Sequence, residues 1–284
     1  MTTRDEPELL SERRDGDIIL LTLNRPRARN SVSFAMWEQF SRALDAAENG
    51  TPARALILQG AEGYFSSGGD VKTPPARGEG ALALSARLEM GQRIIARLRA
   101  LPMPTIAAVE GGAFGIAWGL AMACDMIFAA DNAKFGAPFL ELGLVPDGGT
   151  AWFLGRRLGR YRAAEILFAG RVLEAQEALT LGLVSRLVGT GNALEAALGF
   201  VAGIGQGNRH AVELTKRLLH LSEDGTLIAS HALELVYCHI CQAGDETKAA
   251  RAAFIARAEA KAAAKGQAAE CNSVCVPSRW PPAP

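Results

Sequence analysis

The sequence has no net charge, no apolar segment long enough to cross a membrane and few cysteines, and each of these absences narrows the choice of function. Among its 284 residues, 30 are Lys or Arg and 30 are Asp or Glu, so the formal net charge at pH 7 is zero. Nonspecific binding of nucleic acid relies on a basic surface that displaces counterions, and this composition gives no sign of one. We therefore expect no nucleic-acid partner.

The longest nearly uninterrupted apolar stretch covers residues 111–124, between Glu110 and Asp125. A membrane-spanning helix needs ~20 apolar residues, so this stretch predicts a buried helix of the core instead. The N-terminal segment MTTRDEPELLSERRDGD is charged and lacks the apolar region typical of a secretory signal. These features predict a soluble, cytoplasmic protein with no membrane partner.

The five cysteines do not follow a pattern typical of disulfides. Cys238 and Cys241 flank His239 within a helical pattern, and a zinc site there would need Cys271 and Cys275 from an aperiodic tail. The odd number of cysteines and the cytoplasmic setting both disfavour a disulfide framework. The zinc site stays an alternative, but we expect neither a metal nor a redox cofactor.

Short apolar runs alternate with helical periods in the first part of the chain, which predicts an α/β core. The predicted strands cover residues 17–24, 55–59, 105–109, 126–129 and 183–188, and the predicted helices follow an N-cap at Ser33 and cover residues 81–100 and 111–123. Residues 72–80 form a Pro/Gly-rich loop that we expect to be mobile. We predict a core domain over residues 1–191, a helical region over 192–265 and a disordered tail over 266–284.

Two glycine-rich segments, SSGGD at residues 66–70 and GGAFG at residues 111–115, each follow a predicted strand. Main-chain N–H groups at such turns and at helix N-termini lack partners, and two of them converging on one oxygen form an oxyanion hole. Taken alone, the glycines fit tight turns and close packing at least as well. Neither segment matches a phosphate-binding loop.

Five segments resemble motifs of the enoyl-CoA hydratase/isomerase (crotonase) family, in the family's order. They are NRPRARNS at residues 24–31, GYFSSGGDVK at 63–72, GGAFGIAWGLAMACD at 111–125, AKFGAPFLELGLVPDGGT at 133–150 and GRVLEAQEALTLGLVSRLV at 170–188. The family's tail motif is degraded around residues 245–254. The resemblance implies an α/β fold built as a spiral of β-β-α turns with a C-terminal helical trimerisation region, assembled as a homotrimer or a dimer of trimers.

The resemblance also implies an acyl-CoA substrate whose thioester carbonyl is held by the main-chain N–H groups of Ser67 and Ile116. Main-chain donors do not depend on the side chain, although the bulky Ile116 replaces a residue that is small in most of the family. Coenzyme A is expected to contact Arg27, Ala28, Ser67, Gly68, Gly69, Asp70 and Val71. The acyl pocket is expected to involve Trp118, Gly119 and Phe139.

Hydratases of this family use two glutamates, and the matching positions here hold Gly119 and Phe139. Neither residue transfers protons, so hydration by that mechanism should be severely impaired. Asp147 in GLVPDGGT matches the segment that carries the aspartate base of dienoyl-CoA isomerases and is similar to the P-D-x-G-G-T segment of related isomerases. The resemblance therefore implies an enoyl-CoA isomerase in which Asp147 moves a proton between two carbons.

Other interpretations of the acidic residues stay open. Asp147 also fits a turn or helix N-cap before two glycines, and an aspartate has a pKa of ~3.9 unless burial raises it. Glu141 is a competing acid, so a hydratase that uses it is one alternative. A non-catalytic acyl-CoA-binding protein that has kept the fold is another. Asp70 and Asp125 are expected mainly to anchor loops.

Overall fold

The computed structural model of the chain describes residues 7–15, 17–73, 77–78, 83–204 and 209–273, without the side chains of residues 84 and 263–273. The chain divides into two compact units, Met1–Gly205 and Gln206–Pro284. Strands and helices alternate in the first unit, whereas the described part of the second unit is helical. The α/β class predicted from the sequence is therefore confirmed.

The strands of the first unit form two sheets. They are β1 Leu9–Arg14, β2 Ile18–Leu23, β3 Ala55–Gly60, β4 Thr105–Val109, β5 Gly112–Phe114, β6 Met126–Ala130, β7 Lys134–Gly136, β8 Val172–Glu174 and β9 Arg186–Val188. The larger sheet has the order β1-β2-β3-β4-β6-β9 and is parallel except for its first pair, and the smaller sheet has the order β5-β7-β8. In β4-β5 and in β6-β7, consecutive strands lie one in each sheet and are followed by helices. This repeat is the predicted β-β-α turn.

Helices surround these sheets in the first unit and make up the described part of the second. The first unit contains α1 Phe34–Asn49, α2 Ala86–Ala100, α3 Ile116–Met122, α4 Thr150–Leu158, α5 Arg160–Phe168, α6 Ala175–Thr180 and α7 Ala193–Gly203. The second contains α8 Arg209–Ser222, α9 Leu227–Ala243 and α10 Asp245–Ser273. The Ser33 hydroxyl accepts the Met36 N–H at 3.1 Å, which confirms Ser33 as the N-cap of α1.

The larger sheet is buried on both faces, because alternate residues of its central strands belong to two different apolar clusters. In β3, Leu56 and Leu58 belong to the larger cluster, whereas Ala55 and Ile57 belong to the smaller one. Helix α7 covers the smaller cluster with residues spaced one turn apart, namely Ala193, Ala197 and Val201. The first unit therefore extends beyond the boundary predicted at residue 191.

Helix α10 extends to Ser273, so it enters the tail predicted to be disordered, and residues 274–284 lie outside the described residues. Within the described residues, no helix combines the length and the apolar character needed to cross a membrane. The same residues contain no group of three or more His, Cys, Asp or Glu side chains placed to hold a metal ion. Cys275, which the zinc alternative requires, lies outside them.

The predicted helix over residues 111–123 is wrong in its first part. Residues 112–114 form strand β5, and the helix begins at Ile116 after Gly115, whose φ is 54°. The strand exists because it pairs with β7, which was not predicted either, and a local pattern does not show such a tertiary contact. Strands β1 and β8 were also missed. Helix α2, predicted from residue 81, begins at Ala86 after a 3-10 turn. Strand β9 covers only the end of the strand predicted over residues 183–188. The loop predicted over residues 72–80 lies partly outside the described residues.

Candidate active site

The two glycine-rich segments lie side by side. Ser66 and Ala113 form a parallel bridge, in which the Ser66 N–H donates to the Gly112 carbonyl at 3.0 Å and the Phe114 N–H donates to the Ser66 carbonyl at 3.1 Å. Gly68 has a φ of 100°, and a Cβ at this position would lie 2.7 Å from the Phe114 carbonyl oxygen. Only glycine fits there. The loop that follows β3 is therefore held against the segment that leads into α3.

The two predicted oxyanion donors differ in availability. The Ile116 N–H opens α3, and the described residues contain no acceptor for it. The Ser67 N–H, in contrast, donates to the Arg29 carbonyl at 2.9 Å. A bound thioester oxygen would have to share this N–H with the Arg29 carbonyl or displace it.

The segments predicted to contact coenzyme A are adjacent. Besides the bond from its N–H, Ser67 donates its hydroxyl to the Ala28 carbonyl at 3.4 Å, which links the 67–71 loop to the 3-10 turn Pro26–Ala28. Arg27 on that turn and Val71 on the loop are both exposed. These contacts bring the two segments together but do not test the role of their residues.

Asp70 has the environment of a loop anchor. Its carboxylate accepts the Thr73 hydroxyl at 3.0 Å and the Lys72 N–H at 3.1 Å, and the Arg25 guanidinium lies 3.2 Å away. Burial alone would raise the pKa of Asp70, but these hydrogen bonds and the Arg25 charge outweigh burial and lower the pKa below its usual value. Asp70 therefore stays charged and holds the loop in place, as expected for an anchor.

Asp125 similarly joins two elements of the core. Its carboxylate accepts the Thr105 N–H at 2.7 Å and the Thr105 hydroxyl at 3.0 Å, while its own N–H donates to that hydroxyl at 3.0 Å. These reciprocal bonds fix the end of α3 to the beginning of β4. Asp125 thus belongs to the scaffold, as expected.

Asp147 differs from these two aspartates in the environment of its carboxylate. Its main-chain carbonyl accepts both the N–H and the hydroxyl of Thr150, at 3.0 and 2.7 Å, but its side-chain Oδ1 is buried and has no hydrogen-bond partner among the described residues. Burial raises the pKa of Asp147 from 3.8 to about 6, and the charge of Arg87 opposes that rise. The N-cap of α4 is Gly149, so the N-cap interpretation of Asp147 is wrong, whereas its main-chain carbonyl does form the turn that was the other alternative.

The turn that carries Asp147 packs directly on Ile116. A Cβ at Gly148 would lie 2.7 Å from Ile116 Cγ1, and a Cβ at Gly91 in α2 would lie 2.9 Å from Ile116 Cδ1. The bulky Ile116 side chain thus fits because positions 91 and 148 are glycines. Gly148 thus contacts Ile116, whose N–H is the predicted donor, and Asp147 is the residue next to Gly148 in the chain.

The two positions that match the hydratase glutamates, 119 and 139, are both packed against neighbouring groups. A Cβ at Gly119 would lie 2.3 Å from the Gly148 carbonyl oxygen, and the Phe139 ring is buried, with Cζ 3.7 Å from where a Cβ of Gly115 would be. Trp118 is fully buried, and its Nε1 has no hydrogen-bond partner among the described residues. All three residues are therefore packed into the protein around the N-terminal part of α3.

Glu141 is not brought to Asp147 by any described contact. It is exposed in the 3-10 turn Leu140–Leu142, and its Oε1 lies 2.8 Å from where a Cβ of Gly170 would be. Gly170 follows the C-terminal end of α5. The competing acid therefore lies against a different part of the first unit.

A pocket next to Gly148 was missed by sequence reasoning. Its volume is ≈ 350 Å³, and its walls are mostly apolar and come from α2 and the beginning of α4, namely Gln92, Ile95, Ala96, Arg99, Gly148, Gly149, Trp152 and Phe153. The four residues from α2 share one helical face, which the sequence period shows. What the period does not show is the packing of that face against α4.

Comparison with known proteins identifies the family. The model of the enoyl-CoA hydratase/isomerase family matches residues 13–263. A probable enoyl-CoA hydratase of Rhizobium meliloti (strain 1021) is 34% identical over 256 residues, which cover 89% of this chain and 97% of the relative.

Solved structures agree with this match. An enoyl-CoA hydratase from Polaromonas sp. JS666 superposes with a TM-score of 0.82 at 32% identity and covers 88% of this chain and 97% of its own. A putative enoyl-CoA hydratase from Thermobifida fusca YX, solved in complex with acetoacetyl-CoA, superposes with a TM-score of 0.76 at 28% identity and covers 84% and 95%. The resemblance in the motifs is thereby confirmed, and the chain belongs to the enoyl-CoA hydratase/isomerase (crotonase) family.

Proposed function

We propose that this enzyme of the family is an enoyl-CoA isomerase in which Asp147 takes a proton from one carbon of the acyl group and returns it to another. The buried, unpartnered carboxylate oxygen of Asp147 is the observation that carries the proposal. A pKa of about 6 suits this role, because a group that titrates near the working pH both accepts and donates protons efficiently.

The main-chain donors supply the second part of the mechanism. When Asp147 removes the proton, the electron pair moves into the conjugated system and negative charge develops on the thioester oxygen. The Ile116 N–H, for which the described residues contain no acceptor, donates to that oxygen together with the Ser67 N–H, which the Arg29 carbonyl shares or releases. One such donor contributes ~2.7–4 kcal/mol to transition-state stabilisation. Return of the proton to the other carbon completes the shift of the double bond without net change in composition.

The substrate is an acyl-CoA thioester, and we propose that its acyl chain extends from Asp147 into the pocket beside Gly148. The pocket walls are mostly apolar, which suits a hydrocarbon chain. Coenzyme A would lie along the adjacent 26–28 turn and 67–71 loop. No step of this mechanism requires a metal or a redox cofactor.

A hydratase is the second candidate, because the relatives named above are called enoyl-CoA hydratases. It would have to replace both glutamates of the family mechanism with Asp147 or Glu141. Glu141 lies against Gly170, which disfavours this candidate. The third candidate, a non-catalytic acyl-CoA-binding protein, is disfavoured because it gives no role to the Asp147 carboxylate, whose burial is unfavourable when it is ionised.

We further propose a cytoplasmic homotrimer or dimer of trimers. Helix α9 exposes large apolar side chains in the single chain, namely Leu227, Ile228, Leu235, Val236 and Ile240. Several exposed large apolar side chains on one helix are typical of a surface that contacts another protein chain. Light scattering coupled to size exclusion should give a mass near three or six times 30.0 kDa.

The deciding experiment incubates the protein with a trans-2-enoyl-CoA in heavy water and follows the thioester by mass spectrometry. Deuterium at carbon without the mass of water indicates proton shuttling, addition of one water indicates a hydratase, and binding without change indicates the non-catalytic candidate. Asp147→Asn should abolish exchange while keeping binding, and Glu141→Gln serves as the matched control. Exchange that persists in Asp147→Asn contradicts the proposal.

A further inference from the structure

We propose that Arg87 is a positioning residue of this site, which fixes the loop following Ser67 against α2 and holds a positive charge beside the Asp147 carboxylate. The proposal rests on the proposed function, since it assigns Arg87 a part in preparing Asp147 to accept a proton. The sequence motifs of the family gave no indication of it.

The loop contacts of Arg87 are main-chain contacts. Its guanidinium Nη1 donates to the carbonyl oxygens of Asp70 and Thr73, the latter at 3.0 Å. Since Asp70 is itself held by Arg25, the two arginines fix the same segment through its carbonyls and its carboxylate. A guanidinium is suited to this task because its donors form a rigid planar fork. Arg87 therefore sets the position of the segment that follows the Ser67 donor.

The same face of α2 reaches the other parts of the site. Arg87, Gly91 and Ile95 are spaced four residues apart, so they lie above one another on one helical face. Gly91 contacts Ile116, and Ile95 Cδ1 lies 3.3 Å from where a Cβ of Gly148 would be. Arg87 thus continues, one turn earlier, the face that packs against the donor and the turn carrying Asp147.

Among the described residues, Arg87 is the charge that opposes the rise in the pKa of Asp147. Helix α3, with the sequence IAWGLAM, carries no charge, and Glu141 contacts the end of α5. Arg99 from α2 and Arg156 from α4 both stack on the Trp152 ring, with guanidinium carbons 5.3 and 5.7 Å from its centroid. The electrostatic partner of Asp147 therefore comes from the N-terminal end of α2.

The positive charge of Arg87 meets a requirement of the reaction, which is that Asp147 must be ionised before it accepts a proton. A carboxyl group in an apolar site tends to remain protonated, and a protonated carboxyl cannot begin a reaction by accepting a proton. A nearby guanidinium favours the carboxylate form, and Arg87 does so without a direct hydrogen bond to Oδ1, which stays unpartnered. The base is thereby ionised near neutral pH yet keeps a lone pair for the substrate.

The test measures the pH dependence of kcat/KM for deuterium exchange in three variants. Arg87→Gln removes the charge, Arg87→Lys keeps it, and Arg93→Gln removes a matched charge from an exposed part of α2, where Arg93 pairs with Glu89. We expect the acid limb to move to higher pH by about one unit in Arg87→Gln. In Arg87→Lys and Arg93→Gln it should stay at the wild-type pH. A residue with only a structural role would lower the rate without moving the limb.

If the acid limb of the pH profile lies at the same pH in Arg87→Gln as in Arg93→Gln, the proposal is overturned. If Arg87→Gln does not fold, Arg87→Lys carries the test, because a lysine keeps the charge but does not hold two N–H groups in a fixed plane as Nη1 does. For Arg87→Lys we then expect an acid limb at the wild-type pH and a KM raised several-fold. A KM equal to that of the wild type would contradict the role assigned to the contacts between Arg87 and the loop. Persistent exchange in Asp147→Asn, by contrast, would refute the proposed function itself.

Discussion

Replacing Asp147 by asparagine should stabilise the folded protein at neutral pH, although it removes the proposed base. The Oδ1 atom is buried and has no hydrogen-bond partner in the part of the chain that the structure describes, and burial raises the pKa of Asp147 from 3.8 to about 6. The ionised carboxylate is therefore less favourable in the folded protein than in the unfolded chain. Asparagine has nearly the same shape and carries no charge that must be desolvated.

The sign and size of the effect follow from proton binding. Between pH 3.8 and about 6, the unfolded chain has released this proton while the folded protein still holds it, so the free energy of unfolding falls as the pH rises. The stability that the folded protein gains by holding this proton is fully present below pH 3.8 and is lost above a pH of about 6. A difference of about two pKa units corresponds to ~3 kcal/mol. Because the amide also leaves polar atoms buried, only the pH-dependent part of the comparison is diagnostic.

Urea denaturation of wild type, Asp147→Asn and Glu141→Gln from pH 5 to pH 8, at one protein concentration, measures this difference. The advantage of Asp147→Asn should grow by ~1–2 kcal/mol over that range. Glu141→Gln, which removes an exposed acid from the preceding turn, should not show this growth. A difference for Asp147→Asn that is constant with pH would refute the view that its carboxylate is destabilised by burial.

Three further outcomes follow from the packing and the proposed chemistry. Gly119→Ala places a methyl group 2.3 Å from the Gly148 carbonyl oxygen, so it should cost ~1–3 kcal/mol of stability in denaturation experiments and lower the rate of exchange. Asn30→Ala should cost at least ~2 kcal/mol, because the fully buried Asn30 amide donates to the carbonyls of Ala61 and Tyr64 at 3.0 and 2.5 Å. Dialysis against a chelator should leave exchange unchanged, and a loss that added metal restores would contradict the mechanism.

The sequence predicts those elements of the fold whose patterns are long enough to be read locally. Strands β2, β3 and β4 and helix α1 appear where the apolar periods place them, with Ser33 as the cap. The three-residue strands β5, β7 and β8 were missed, since a period of two has no room to develop there. These strands exist through pairing with one another, which is a property of the tertiary structure. The six-residue β1 was missed for another reason, because its sequence LLSERR shows no apolar alternation.

A similar division holds for the candidate site. The motif resemblance found Asp147 and both glycine-rich segments, and the structure brings these segments together. It could not show that the Arg29 carbonyl occupies the Ser67 N–H, because Arg29 belongs to a different motif and a motif match does not show main-chain contacts between motifs. It also could not find Arg87, whose role depends on which face of α2 packs against the turn around Gly148.

The missing glutamate and the buried aspartate are connected through the packing of Gly119. Because Gly119 has no side chain, the Gly148 carbonyl occupies the space that a larger residue would fill, and because Gly148 also lacks a Cβ, its main chain packs on Ile116. Both contacts draw the turn that carries Asp147 toward the N-terminus of α3, where the Ile116 donor lies. A glutamate at position 119 would require this turn or α3 to shift, because its Cβ alone would overlap the Gly148 carbonyl oxygen. On this backbone, the hydratase arrangement and the Asp147 arrangement therefore exclude each other, and this favours a proton shuttle over a hydratase that has merely lost its acids.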